Sequence, residues 1–315
     1  MKHALLVCEF LSTPWAILPE RLSAMCSVLA RIVADREAGP DVMAQVHADA
    51  QQIEARRGEA ASAGGNGGGI AVLPFYGTSV QRTNPMQEVS GSGLMSIQRF
   101  TQTLRAALAD DSVGGILLDI DSPGGSVYGV MELANEIYQA RSQKPIFAIA
   151  NSLAASAAYW VASSASEFYV TPGGEVGSIG VFAAHQNLAK ALEKEGVETT
   201  LVSAGKYKTE GNPFGPLSDE ARAAMQSRID AYYGAFTRGV AKNRGVDVAT
   251  VREGMGQGRV MSASAAKAEN MVDGVATFDD VARKLAKAIG GNAPTQTSKP
   301  SRAALMQREI DLLGT

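Results

Sequence analysis

The sequence predicts an α/β fold built on a mostly parallel, buried sheet with flanking helices. Two observations carry this. Between residues 70 and 205 short apolar runs alternate with segments of helical period, the pattern of parallel strands joined by crossover helices. In addition, 45% of the 315 residues are hydrophobic, enough to fill the core that such a sheet requires.

The elements follow in order. Residues 1–60 read as a helical arm, with helix-like apolar spacing over 19–35 and 41–57. ASAGGNGGG, residues 61–69, has the composition of a linker. The main domain, 70–289, opens with the strand IAVLPFYG, closed by Gly77. Residues 96–110 have a helical period. GGILLDID, 114–121, is a buried strand, and SPGGS after it is a tight turn. A helix is expected over 126–142, a strand over 144–151 and a small-residue helix over 154–166. EFYV and the glycine-rich VGSIGVF, 176–182, are further strands, followed by a helix over 186–195 and a strand, VETTLVS, over 197–203. A long helix near 218–244 is capped by Ser218, with Asp219 and Glu220 in its first turn. Shorter helices follow near 247–254 and 262–270. Thr277 with Asp280 forms a capping-box pattern for a helix to about Ile289. Residues 290–315 read as a flexible tail.

Composition excludes several classes. A net charge of −3 argues against a nucleic-acid binder. Cys8 and Cys26 outline neither a disulfide framework nor a zinc site, so no metal is expected. No cofactor is expected either; the glycines of 61–69 lack the Lys-Ser/Thr ending of a phosphate loop. Glu9 interrupts the apolar start MKHALLVCEFL, which lacks a prompt cleavage site. No apolar run reaches the ~18 residues of a membrane span. A cytoplasmic protein is the default expectation.

Ligands of open α/β sheets bind beyond the carboxyl ends of the strands, and two such ends carry unusual residues. In DIDSPGGS, 119–126, Pro123 and Gly124–Gly125 permit a turn with exposed amides, suited to a developing oxyanion. In ANSLAASAAYW, 150–160, Ser156 stands among alanines at the start of a helix, and Ser152 is available as an N-cap. This is nucleophile-elbow logic without the G-x-S-x-G motif. From spacing alone, a plain turn and a tightly packed small-residue helix are the first readings of these segments.

A serine nucleophile needs a base. The chain has only His3, His47 and His185, and of these His185 follows a glycine-rich strand. Lys206 and Lys208 lie in SAGKYKTEGNPFGP, beyond another predicted strand, and periodicity does not choose between them. Asp119 and Asp121 share a strand face; without a histidine or third carboxylate, strand-end solvation or turn capping suits them better than a metal site.

Taken together, GGIAVLPFYGT, GGILLDIDSPGGSV, ANSLAASAAYWVASSA, VGSIGVF and SAGKYKTEGNPFGPLSDE resemble the signal peptide peptidase A family of serine peptidases. They are most similar to its tailed-phage branch, the lambda-type head maturation or capsid assembly proteases. The resemblance covers roughly residues 68–288. It implies a Clp/crotonase-like fold and a Ser–Lys dyad. Carried over by position, Ser156 is the nucleophile and Lys208, not Lys206, the general base. Ser178 hydrogen-bonds the lysine, and the amides of Gly125 and Ala157 form the oxyanion hole. The resemblance further implies capsid or scaffold protein substrates, a homo-oligomer, and action in the host cytoplasm or prohead. Residues 1–60 then dock the capsid or are trimmed. A cytoplasmic peptidase clearing signal-peptide remnants, a crotonase-like acyl-CoA enzyme and a non-catalytic capsid component are the competing expectations.

Overall fold

The computed structural model describes Cys8 and residues 11–23, 25–26, 69–82 and 93–290. Expectations for most of residues 1–60, for nearly all of the 61–69 linker and for the tail after 290 lie outside the described residues.

The main sheet is parallel at its centre. Strands β2 (Gly69–Tyr76), β5 (Val113–Ser122) and β7 (Ile146–Ala155) lie side by side in parallel register. The long β7 carries two neighbours on its other edge. Its first half pairs with β8 (Glu167–Val170) and its last residues with β9 (Glu175–Gly177), both parallel. The sheet ends in β10 (Val260–Ser262), antiparallel to β9, and in β11 (Gly274–Val275), parallel to β8.

The near-continuous apolar runs follow from burial on both faces. Alternate residues Ile116, Leu118 and Ile120 of β5 face the large core. Against them pack α1 (Ile97–Ala109), α2 (Val130–Ala140), α3 (Ala157–Ser163) and the long α5 (Asp219–Arg244). Leu117, Phe147 and Ile149 face the other way, where Val281 and Leu285 of α8 (Phe278–Ala288) cover them. Between α3 and α5 lie the short α4 (Ala189–Lys194) and, after α5, α6 (Val248–Glu253) and α7 (Ala263–Ala268). Ser218 caps α5 by accepting from the Ala221 amide, and Thr277 with Asp280 forms a full capping box at α8, both as the sequence predicts. Among the described residues no helix is long and apolar enough to cross a membrane.

Four expectations change. Residues 197–203 form no strand, and of VGSIGVF only Val176 and Gly177 belong to a strand, because the positive φ of Ser178 turns the chain out of the sheet. SPGGS is not a plain turn: Gly124–Ser126 is a short strand, β6, in a second sheet. The helical arm contains a strand, β1 (Trp15–Ile17), which joins the same sheet. Its order is β1-β6-β3-β4, where β3 is Thr78–Val80 and β4 is Leu94–Ser96. Pro14 and Pro19 bracket β1 and bias the residues before them away from helix, which accounts for the change.

Candidate active site

Ser156 stands where β7 gives way to α3. Its φ of 56° and ψ of −118° are sparsely populated for a non-glycine residue, a strain of about 1–3 kcal/mol that only well-packed surroundings hold in place. Those surroundings are small and apolar. All seven residues of α3 are buried. Trp160 stacks on Phe236 of α5 with ring centroids 4.8 Å apart, and the Tyr159 hydroxyl donates to the Met271 carbonyl at 3.0 Å. The helix is thereby fixed, and the serine at its head with it. The side chain itself makes one long contact, Oγ to the Gly180 carbonyl at 3.4 Å.

Gly124 lies directly beside this serine, and Gly125 follows it in β6. A Cβ on Gly124 would be 3.0 Å from the Ser156 Cβ, and one on Gly125 would be 1.9 Å from the Ser79 carbonyl oxygen. Only glycine lets β6 come this close to both neighbours. Ser122 braces the turn: its hydroxyl donates to the Gly77 carbonyl at 2.7 Å and accepts from the Gly124 amide at 3.2 Å. Ala157 is the first residue of α3, so its amide has no acceptor within the helix.

Ser178 joins the site from the other side. The Ser156 amide donates to the Gly177 carbonyl at 2.6 Å, so Ser178 is the next residue along from the nucleophile's own partner. Ser178 is buried, with φ at 53° and its amide bonded to the Arg259 carbonyl at 2.8 Å. The structure therefore places Ser156, Ala157 and Ser178 close together, with Gly124 against the serine and Gly125 next along β6.

It does not bring Lys208 to them. Lys208 is exposed, on a turn in which its amide donates to the Gly205 carbonyl at 3.1 Å. Lys206 is exposed as well; its ammonium donates to the Tyr207 hydroxyl at 2.6 Å and to Glu220 at 3.0 Å. Those bonds raise its pKa, the wrong direction for a base. His185 is occupied elsewhere, its Nε2 lying 2.9 Å from the Asn212 carbonyl oxygen. Ser152 is an exposed residue within β7 and caps no helix.

Asp119 corrects a further expectation. It is buried rather than solvated, accepting from the Tyr76 hydroxyl and, at 3.2 Å, from Asn151 Nδ2. The carboxylate ties together the ends of β2, β5 and β7, just before the segments that build the site. Among the described residues no cluster of His, Cys, Asp and Glu has the makings of a metal site. The sequence reading missed Tyr76 and Asn151 as partners of Asp119, and missed β1 beside β6. The signal for β1 was present as an apolar run between two prolines, PWAILP.

A strained serine at a strand-to-helix elbow, with Gly124 against it, is the form that a serine nucleophile takes on an α/β sheet. Comparison narrows the reading. Residues 138–291 match the model of peptidase family S49. The chain is 36% identical over 249 residues to the capsid assembly protease C of Escherichia phage lambda, spanning 78% of this chain and 56% of that protein. It is 37% identical over 250 residues to the head-tail preconnector protein GP5 of Enterobacteria phage P21, spanning 78% and 49%. Protease 4 of Haemophilus influenzae is 26% identical over 252 residues, 78% of this chain and 39% of that one. The chain thus spans about half the length of the two phage relatives.

Proposed function

We propose that this protein is a serine endopeptidase that processes capsid or scaffold proteins during phage head maturation, in the host cytoplasm or prohead. The observation that carries the reading is the elbow: Ser156 at φ 56°, buried, with Gly124 packed against it. The likeness to the two phage proteins supports the choice of substrate.

In the mechanism, Ser156 Oγ attacks a peptide carbonyl carbon while Lys208 Nζ accepts the hydroxyl proton. The amides of Gly125 and Ala157 hold the oxyanion; one such donor is typically worth ~10²–10³ in kcat. Lys208 returns the proton to the leaving amine as the C–N bond breaks. Water then cleaves the acyl-enzyme by the same steps in reverse order. Ser178 accepts a hydrogen bond from the lysine and keeps it oriented.

Lys208 reaches the dyad from another copy of the chain. It sits on an exposed segment with Leu201, Val202 and Tyr207, of which Val202 is 94% exposed. Exposed apolar residues grouped in this way mark a surface that meets a partner. A homo-oligomer in which this segment covers the neighbour's Ser156 places the lysine in the apolar, crowded setting that a neutral amine needs.

Mass spectrometry of the capsid protein co-expressed with this chain tests the assignment. Wild type should cleave it; Ser156→Ala and Lys208→Ala should not, and undiminished cleavage by either variant refutes the dyad. Mixing the two inactive variants should restore part of the activity, because one copy keeps the serine and its neighbour the lysine. A mixture of the two inactive variants that stays inactive would refute the shared site.

A further inference from the structure

The edge of β6 beside Ser156 is filled by the chain itself. β1 runs antiparallel to β6, with Trp15 opposite Ser126, Ala16 opposite Gly125 and Ile17 opposite Gly124. The Val127 amide donates to the Pro14 carbonyl at 3.3 Å, and the Leu18 amide to the Pro123 carbonyl at 3.0 Å. In an antiparallel ladder, bonds at those positions flank a directly bonded pair, here Ala16 with Gly125. The Gly125 amide, assigned above to the oxyanion hole, thus points at the Ala16 carbonyl. That carbonyl lies beside the nucleophile: a Cβ on Gly124 would be 2.2 Å from the Ala16 oxygen and 3.0 Å from the Ser156 Cβ.

The opposite edge of β1 is bonded as well. The Trp15 amide donates to the Phe182 carbonyl at 2.8 Å, and the Phe182 amide to the Trp15 carbonyl at 3.0 Å. Phe182 follows the segment of Ser178 and Gly180. Residues 14–18 are therefore a strand held on two sides by the walls of the site. Their side chains are sequestered too: Trp15, Ala16 and Ile17 are each no more than 2% exposed. Trp15 and Ile17 cluster with Leu11 and Leu22 against Phe182 and Ala184.

Two edges that bond a central strand, with a nucleophile beneath one of its carbonyls, are how an extended peptide substrate is gripped: main-chain bonds supply affinity and alternate side chains supply specificity. We propose that residues 14–18 are a built-in occupant of the substrate slot, which an incoming peptide must displace. The inference rests on the peptidase reading of Ser156 and Gly125. It names the substrate class as an extended peptide strand with a small residue where Ala16 sits and bulky apolar residues on either side, as Trp15 and Ile17 are. A tethered occupant acts at an effective concentration on the order of millimolar, so it lowers the apparent affinity of any competitor by the fraction of time that the slot is closed.

The test is made on the full chain carrying Ser156→Ala, so that no chemistry intervenes. The probe is a fluorescein-labelled peptide of sequence Ser-Thr-Pro-Trp-Ala-Ile-Leu-Pro. Ala16→Arg puts a long charged side chain where no space exists and expels β1. Glu20→Arg, at an exposed residue outside the pairing, is the control. The Ala16→Arg chain should bind the probe at least tenfold more tightly than the Ser156→Ala chain alone or the control. Equal affinities in all three, or no binding to any, overturn the proposal. Should Ala16→Arg fail to fold by circular dichroism, hydrogen exchange on the Ser156→Ala chain decides. Saturating unlabelled peptide should deprotect the fragment spanning 11–18 while the fragments holding Gly125 and Phe182 stay protected. Continued protection of 11–18 at saturation refutes displacement. Failure of the dyad would appear instead as capsid cleavage by Ser156→Ala, a separate result.

Discussion

Adding one methyl group to Gly125 tests the site most directly. In Gly125→Ala the new Cβ would fall 1.9 Å from the Ser79 carbonyl oxygen and 2.3 Å from Ser79 Oγ, whereas real Cβ atoms essentially never approach closer than 3.0 Å. The nearer obstacle is backbone in β3, tied in parallel to β4 and unable to swing aside as a side chain end does. β6 must therefore retreat by about 1 Å, and the Gly125 amide moves with it. Hydrogen bonds weaken steeply over such a displacement. Loss of one oxyanion donor costs roughly 10²–10³ in kcat, about 2.7–4 kcal/mol of transition-state stabilisation. Overpacking adds roughly 1–3 kcal/mol of lost stability. Steady-state digestion of denatured casein, quantified by mass spectrometry, gives kcat and KM; a thermal melt followed by circular dichroism gives the stability. The expected result is a folded protein with a lower melting temperature and kcat reduced about 100-fold or more. A companion variant sharpens it. Adding Ser79→Gly removes the 2.3 Å contact but leaves the 1.9 Å one, so activity should not return. A Gly125→Ala chain within threefold of wild type, or full rescue by Ser79→Gly, would refute the placement of the donor amide.

Other expectations are simpler to check. Lys206→Ala and His185→Ala should keep most of the casein-cleaving activity, since the first removes a solvent-exposed pair with Glu220 and the second a bond to a loop carbonyl; loss of activity in His185→Ala alone would install a Ser–His mechanism. Ser79→Ala should be neutral or stabilising in a denaturant melt, because Ser79 Oγ is buried without a hydrogen-bond partner among the described residues and its removal leaves nothing unpaired. Asp273 should make stability fall in acid. Burial by itself would raise its carboxyl, but the Arg244 hydrogen bonds, the Phe168 amide and the charges of Arg244 and Lys284 outweigh that and hold it below the usual carboxylate range. A depressed folded-state pKa stabilises in full above the ordinary value of ~3.9 and loses that contribution as pH falls through the folded-state value. Asp273→Asn should flatten this acid limb and cost about 1 kcal/mol at pH 7, toward the exposed-pair limit because Asp273 is 37% exposed although Arg244 is 8% exposed; an unchanged acid limb would show that another group governs it.

How much of this was legible beforehand differs from element to element. α1, α5 and α8 are readable because their cues are local. Ser96, Ser218 and Thr277 each accept from an amide three residues on, and the helical period begins immediately after them. The central strands are readable for the same reason, as apolar runs whose two faces are both buried. The 197–203 run looks equally strand-like in sequence and is none. A strand needs a partner edge, and no local pattern says whether one is available. β6 is the converse case. Gly124–Ser126 has the composition of a turn and becomes a strand only because β1 and β3 flank it.

The residues of the site divide in the same way. Only the resemblance to the peptidase family singled out Ser156, Gly125 and Ser178 as a set, since spacing alone reads their segments as plain turns and a small-residue helix; in the fold Ser156 follows β7, Gly125 lies in β6 and Ser178 follows β9. What the sequence also fixes is the chemistry on offer: a serine among alanines, glycines where backbone must approach closely, and lysine where histidine is scarce. Only the tertiary structure decides the rest. It shows that the excess of glycine beside Ser156 is contact between backbones, with Ser79 and Ala16 pressed against Gly125 and Gly124. It buries Asp119 among Tyr76 and Asn151 instead of leaving it in water. It leaves Lys208 on an exposed turn and lays Trp15–Ile17 against the oxyanion strand. Those facts depend on pairing between residues that lie from tens to more than a hundred positions apart, a relation set by the closure of long loops around a common core and carried by no local period.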